Sequence, residues 1–100
     1  MMEKTFSFPI ELVFKKCRET LRELDINISY ESKSKWIIQA STGASLFSWG
    51  EEVEITFKAI AASKTKVSVK SEASAQLFSW GKDSENETKI LNALQKKVSG

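Results

Sequence analysis

Two copies of an aromatic heptad are the part of this chain whose residue types and spacing best suit molecular recognition. The copies cover residues 44–50 and 75–81, and each reads Ala, a polar residue and then LFSWG. They hold two of the three tryptophans and two of the six phenylalanines of the chain. Aromatic side chains are enriched at protein interfaces and supply much of their binding energy. The repeat therefore indicates a structural role, a binding role or both, and it indicates no reaction.

Side chains that carry acid–base, metal or phosphate chemistry are scarce. The chain has no histidine and one cysteine, which removes the commonest general base and the commonest zinc ligands. Gly43 and Gly50 are not spaced as a phosphate-binding loop, and no Gly-Lys-Ser or Gly-Lys-Thr follows them. Glu51, Glu52 and Glu54 form an acidic group, but no second acidic cluster is predicted beside it, so a solvated strand edge is the favoured interpretation. The sequence predicts a protein that is not an enzyme and uses no metal or cofactor.

Charge and hydropathy argue against two further classes of protein. Fifteen basic residues stand against thirteen acidic ones, whereas nucleic-acid binding usually needs a concentrated basic face. Lys64, Lys66 and Lys70 near one predicted turn are typical of a solvated loop. No apolar run approaches the ~18–20 residues that cross a bilayer, and the amino terminus lacks the apolar core of a signal peptide. We expect one cytoplasmic domain over residues 1–100, without membrane or nucleic-acid contacts.

Hydrophobic periodicity predicts the elements that position the heptads. Apolar residues at three- and four-residue steps predict a helix over residues 9–24, with Cys17 on its apolar face as a core residue. A second helix is predicted near residues 85–98, with Ser84 and Glu87 as its capping box. Alternating apolar and polar residues predict strands at residues 4–8, 26–31, 36–49, 52–61 and 67–80. The order β-α-β-β-β-β-α predicts an α+β two-layer sandwich, an antiparallel sheet with two helices on one face.

The heptads should meet at one end of this sheet. Short connections favour consecutive antiparallel hairpins, so the third and fifth strands would run in the same direction and each would finish in LFSWG. Their ends would lie about 10 Å apart, which is two strand spacings. Alternation assigns Phe47, Trp49, Phe78 and Trp80 to the face without helices, unless a bulge at Gly43 shifts the register. These four side chains carry roughly 600–1000 Å² of surface, at about 150–250 Å² each.

The residues that flank the heptads are candidates for an ion pair. Glu51 follows the first heptad and Lys82 follows the second. If the heptads end side by side, the two charges face each other across the sheet end. An exposed pair of this kind contributes ~0–1 kcal/mol.

The element order resembles the repeat of the TATA-binding-protein-like fold and, more loosely, the helix-grip folds of START and plant-allergen proteins. The SWGE and LFSWGKD segments resemble those of small uncharacterised bacterial domains. TATA-binding proteins use two fused repeats, a basic saddle and phenylalanine wedges, which Phe47 and Phe78 match only in a general sense. Glu52, Glu54 and Glu72 on the same face would repel phosphate. Helix-grip proteins hold lipids under a long final helix, and the final helix predicted here leaves little room for one.

Two functional hypotheses follow, with one structural alternative. The first is an interaction module whose patch of Phe47, Trp49, Phe78 and Trp80 binds a protein partner or a second copy of the chain. The second is a small domain that binds an apolar ligand or lipid in a cavity between helices and sheet. The structural alternative is that the four aromatic side chains form a second small core on the uncovered face.

Overall fold

The computed structural model of the protein describes residues 2–42, 51–73 and 82–99. Its elements are β1 (Met2–Phe6), α1 (Ile10–Glu23), β2 (Ile26–Ser32), β3 (Ile37–Thr42), β4 (Glu51–Ala61), β5 (Lys64–Ala73) and α2 (Lys82–Ser99). The strands form one sheet in the order β1-β5-β4-β3-β2, and each neighbouring pair is antiparallel. Both helices contribute to a single hydrophobic core with the sheet. The predicted α+β class and the order β-α-β-β-β-β-α are confirmed.

The core lies between the sheet and the helices because apolar residues alternate along the central strands. The sheet supplies Ile38, Ala40, Val53, Ile55, Phe57, Val67 and Val69, all buried. The helices supply Val13, Phe14, Cys17, Leu21, Ile90, Leu91, Leu94 and Val98. The apolar stripe expected along the first helix is therefore confirmed, including the burial of Cys17. The residues that alternate with these strand positions lie on the opposite face, which we call the helix-free face.

Trp36 departs from the predicted third strand. It has a positive φ of 54°, so β3 begins at Ile37, although the Trp36 carbonyl still accepts a hydrogen bond from the backbone N–H of Phe57 at 3.0 Å. Its ring meets Phe14 edge to face, with centroids 5.4 Å apart, and Phe14 meets Phe57 in the same way at 5.1 Å. We call these three rings the covered aromatic cluster. The third tryptophan is thereby a packing residue.

Other boundaries also differ from expectation. β1 ends at Phe6, so Phe8 lies beyond the predicted strand. The Phe8 carbonyl accepts a hydrogen bond from the Thr65 hydroxyl at 2.8 Å, just before α1 begins. The turn between β4 and β5 contains only Ala62 and Ser63, so β5 begins at Lys64, three residues before the predicted start at residue 67. α2 begins before Ser84, which excludes that residue as its N-cap.

The edge strand β2 carries an irregularity. Its register against β3 shifts between Ile28 and Tyr30, which leaves Ser29 as a bulged residue. The Ser29 hydroxyl donates a hydrogen bond to the Gln39 carbonyl at 3.1 Å. The bulge therefore remains attached to β3 through a side chain in place of a regular ladder pair.

Candidate functional site

The strands that precede the two heptads end side by side. Thr42, the last residue of β3, and Ala73, the last residue of β5, both pair with Glu51, the first residue of β4. β3 and β5 are each antiparallel to β4, so they run in the same direction, as predicted. The points from which the two heptads continue are thus about 10 Å apart, two strand spacings. We call this the heptad end of the sheet, and we call the opposite end, at the turn between β4 and β5, the hairpin end.

The predicted aromatic patch falls outside the part of the chain that the structure describes. Phe47, Trp49, Phe78 and Trp80 all lie there, as does the predicted bulge at Gly43. Their grouping therefore stays a prediction.

The ion pair predicted between the residues that flank the heptads also falls outside the described part of the structure. Glu51 opens β4 and Lys82 opens α2, but their side chains are outside the described part of the structure. The pairing of Glu51 with Lys82 stays a prediction.

The helix-free face is polar along its centre. The Gln39 amide donates a hydrogen bond to Glu54 Oε2 at 3.2 Å, which links β3 to β4. The Ser68 hydroxyl donates to Glu3 Oε2 at 3.1 Å, and Lys66 Nζ lies 3.5 Å from Glu3 Oε1, which links β5 to β1. Such cross-strand pairs stabilise a solvated sheet face without apolar cover. Patterns of alternation predict this polarity, but they do not predict which residues pair.

Residues of like charge pair in register at two places along the sheet. Glu52 pairs with Glu72 at the heptad end, and Lys58 pairs with Lys66 at the hairpin end. Directly opposed like charges such as those of Lys58 and Lys66 disfavour the pairing of their strands. Among the described side chains, however, Lys70 accompanies Glu52 and Glu54 near the heptad end, and Glu3 lies 3.5 Å from Lys66, so both signs of charge occur along the face.

A shallow depression lies on the sheet near the heptad end. Its volume is about 170 Å³, and its lining includes Gln39, Glu52, Glu54 and Lys70. Pockets for small molecules usually measure about 300–1000 Å³ and are mostly apolar. The depression is therefore small and polar for a lipid or a drug-sized ligand.

A larger groove follows the outer side of β2. It measures about 520 Å³ and is lined by residues of β2 together with Arg18, Arg22 and Asp25. Arg18 Nε lies 3.1 Å from Glu31 Oε2. Two arginines are thus accompanied by two carboxylates in the same groove, which leaves no net charge to select a partner. Sequence analysis missed this groove because it depends on how α1 packs beside the edge strand.

The single cysteine is a core residue. Cys17 is fully buried, and burial raises the pKa of its thiol to about 12. A thiol in this environment stays protonated at neutral pH and is a poor nucleophile.

Metal-binding clusters and membrane-spanning helices are both absent from the described residues. These residues include no cluster of three or more histidine, cysteine, aspartate or glutamate residues that could hold a metal ion. Among the described segments, neither helix combines the length and apolar character needed to cross a membrane.

Comparison with known proteins gives a fold neighbour and no family. No protein-family model and no curated protein matches the sequence. The fold is similar to the crystal structure of TTHA0849 from Thermus thermophilus, with a TM-score of 0.50 and 12% sequence identity over 97% of this chain and 94% of that chain. Similarity at this identity concerns the fold alone. The resemblance to TATA-binding-protein-like repeats stays a prediction.

Proposed function

We propose that this chain is a non-enzymatic interaction module that binds a protein partner or a second copy of itself through its two heptads. The observation that carries the proposal is the shared register of Thr42 and Ala73 opposite Glu51. Matching segments that continue from neighbouring points of two same-direction strands would form a paired unit in space. A pair of matched aromatic segments at one end of a sheet suits recognition of another protein surface.

The alternation of the described strands supports an outward assignment of the aromatic residues. Gln39 in β3 and Lys70 in β5 lie on the helix-free face. Trp49 shares the parity of Gln39, and Trp80 shares the parity of Lys70. Continued alternation would therefore bring both tryptophans to the helix-free face.

The contrast between the heptads and the face beside them favours binding. The centre of that face has polar side chains that form hydrogen bonds between strands, such as the bond from Gln39 to Glu54. Four aromatic side chains of about 150–250 Å² each would add an apolar area at its end. Exposed patches larger than about 300–600 Å² are uncommon on monomers and mark interaction sites. We further propose a cytoplasmic protein of bacterial origin, on the sequence grounds given above.

Self-association gives the most direct test. Sedimentation velocity over a concentration series should show an oligomer for the wild type and a monomer for the double variant Trp49→Ala with Trp80→Ala. The matched control is Trp49→Phe with Trp80→Phe, which keeps aromatic surface and should retain association. A wild type that stays monomeric at every concentration would remove self-association, and a double alanine variant that associates normally would refute the role of the heptads.

A second measurement distinguishes the interaction module from the alternative, a domain that binds an apolar ligand. Native mass spectrometry of freshly purified protein should show the mass of the chain or its oligomer without a bound lipid. A co-purified apolar ligand, with a thermal shift on adding fatty acid, would overturn the interaction-module proposal in favour of a ligand-binding domain.

A further inference from the structure

We propose that the tip of the hairpin formed by β4 and β5 docks on membranes that contain anionic lipids. We call residues 58–64 the hairpin tip; they lie at the opposite end of the sheet from the heptads, so the inference is independent of the proposed function. Ile60 enters the apolar side of the lipid–water interface, and Lys58 and Lys64 contact the lipid phosphates.

The hairpin tip extends past the strand beside it. Among the described residues, the last backbone hydrogen bond on the β3 side of β4 runs from Phe57 to the Trp36 carbonyl, whereas β4 and β5 pair as far as Ala61 and Lys64. Residues 58–61 thus advance about 13 Å beyond this bond, at ~3.3 Å per residue. Every residue of the tip is exposed. The tip is therefore a solvated projection from the end of the sheet.

A bulge presents an aliphatic side chain on this projection. The register of β4 against β5 shifts between Ala59 and Ala61, which leaves Ile60 as the extra residue. Ile60 is 51% exposed, more than any other large hydrophobic residue that the structure describes. Ala59, Ala61 and Ala62 adjoin it in the sequence, and the next polar residue is Ser63. Four apolar residues therefore follow one another at the most advanced part of the hairpin.

Lysines flank this apolar segment, and acidic residues are missing from it. Lys58 precedes it and Lys64 follows it, and residues 55–71 contain no aspartate or glutamate. Glu3 lies 3.5 Å from Lys66 and balances that charge. Lys58 and Lys64 form no ion pair with any residue that the structure describes. Two cations beside the apolar segment are therefore available to an external anionic surface.

A membrane with anionic lipids matches this combination of side chains. The aliphatic stem of a lysine can lie along apolar surface while its ammonium group stays in the polar layer. Peripheral binding strengthens with the apolar area that enters the interface and with attraction to anionic lipids. Ile60 supplies the first contribution, and Lys58 and Lys64 supply the second.

A protein or a nucleic acid matches the hairpin tip less well. Protein interfaces typically bury about 800 Å² on each partner and are enriched in aromatic residues and arginine. Base edges of nucleic acids are read mainly by arginine, asparagine and glutamine. Residues 58–64 include none of these side chains. Lysine beside a short aliphatic segment therefore favours a lipid surface.

Docking of this kind requires no membrane-spanning segment. The sequence-based expectation of no membrane contact came from the lack of a long apolar run, and no helix of the described segments could cross a membrane. The proposed contact agrees with both observations, because one aliphatic side chain enters only the interfacial layer.

Vesicle flotation tests the proposal. At a protein concentration where the chain is monomeric, the wild type should float with vesicles of about 30% phosphatidylserine in phosphatidylcholine. Binding to phosphatidylcholine alone should be several-fold weaker. In about 0.5 M salt most of this difference should disappear, because charges are then screened over a few ångströms. No flotation with the anionic vesicles, or equal flotation with both kinds, would overturn the proposal.

Single substitutions assign the contact to the hairpin tip. Ile60→Ser should lower the vesicle partition coefficient about five- to tenfold, since the exposed half of an isoleucine side chain no longer enters the interface. Lys58→Gln and Lys64→Gln should each lower it about fivefold, which corresponds to about 1 kcal/mol per lysine. Tyr30→Ser, at a residue that is 45% exposed, and Lys89→Gln, at an exposed position of α2, are the matched controls and should bind as the wild type does.

A gain in binding separates the contact from an effect on folding. Tryptophan prefers membrane interfaces, so Ile60→Trp should float more strongly than the wild type with anionic vesicles. If Ile60→Ser and Ile60→Trp both bind as the controls do, the hairpin tip is not the docking surface.

The two proposals fail through different results. Trp49→Ala with Trp80→Ala tests the heptads and should leave flotation unchanged, and Ile60→Ser should leave self-association unchanged. Loss of flotation in the tryptophan variant alone would assign the membrane contact to the heptads and refute this inference. Binding of DNA or RNA in a mobility-shift assay that needs Lys58 and Lys64, without flotation, would replace the membrane with a nucleic acid.

Discussion

The hairpin end of the sheet has a tryptophan whose packing is described, and the heptad end leads into two tryptophans whose position is predicted. At the hairpin end Trp36 lies on the core side, and its ring packs edge to face on Phe14 of α1. At the heptad end Thr42 and Ala73 lead into segments whose tryptophans have the parity of the helix-free face. An aromatic residue of this fold is a packing residue where a helix covers it. If Trp49 and Trp80 follow the alternation of β3 and β5, parity relative to the helices, more than residue type, separates a structural tryptophan from a candidate recognition residue.

Removing the ring at the centre of the covered aromatic cluster should have the largest effect on stability. Phe14 is 4% exposed and contacts both Trp36 and Phe57. We expect Phe14→Ala to lower the free energy of unfolding by about 3–5 kcal/mol in urea denaturation, since it leaves a cavity in the core. Tyr30→Ala, at an exposed position, is the control and should change it by less than about 0.5 kcal/mol. A loss below about 1 kcal/mol for Phe14→Ala would show that the cluster is not part of the stabilising core.

Fluorescence quenching compares the solvent exposure of Trp36 with that of Trp49 and Trp80. The variant Trp36→Phe leaves emission from Trp49 and Trp80, and the variant Trp49→Phe with Trp80→Phe leaves emission from Trp36. At concentrations where the protein is monomeric, acrylamide should quench the first variant several-fold more efficiently, because Trp36 packs against the core. Equal protection in both variants would favour a second small core at the heptad end.

The buried thiol midway along α1 should make stability depend on pH. Burial raises the pKa of Cys17 from 9.0 to about 12. The folded state therefore holds this proton while the unfolded state loses it, so the free energy of unfolding falls as pH rises from about 9 towards 12 and is unaffected below 9. At pH 10 the loss attributable to Cys17 should be about 1.4 kcal/mol relative to pH 8.

The control is Cys17→Ala, which has no thiol. Its free energy of unfolding should not show the part of the fall above pH 9 that is due to Cys17. Urea unfolding of both proteins at pH 8 and pH 10 provides the difference. An equal fall in the free energy of unfolding for both proteins would mean that the Cys17 thiol has an ordinary pKa. Water would then reach the core between α1 and the sheet.

The smallest expected effect concerns the like-charge pair at the hairpin end. Lys58→Gln removes repulsion from Lys66, its partner in register, and should raise the free energy of unfolding by about 0.2–0.5 kcal/mol at low salt. Glu54→Gln is the matched control, since Glu54 accepts a hydrogen bond from Gln39 and pairs in register with Lys70. That change should lower stability, and both effects should vanish in 1 M salt. The same sign for both variants would contradict the described register.

The element order was predictable because both helices and all five strands carry regular apolar patterns. The boundaries were less so where long-range hydrogen bonds interrupt a pattern. The bond from Thr65 to the Phe8 carbonyl and the positive φ of Trp36 both lie where alternation would have extended a strand. Local periodicity contains no information about either.

The candidate site also has features that the sequence predicts and features that it does not. That the two heptads follow same-direction strands could be inferred from connection lengths. The pairing of Glu52 with Glu72 and of Lys58 with Lys66 could not, since it depends on the register of β4 against β5. The aromatic patch was predicted from the sequence and stays a prediction.

The bulge at Ser29 has a consequence for how copies of this protein can assemble. A foreign strand that tried to extend the sheet beyond β2 would meet a ladder whose register shifts between Ile28 and Tyr30. Irregular edges of this kind discourage the endless strand-by-strand addition that produces fibrils. Lateral growth of the sheet by strand addition is thus obstructed at this border.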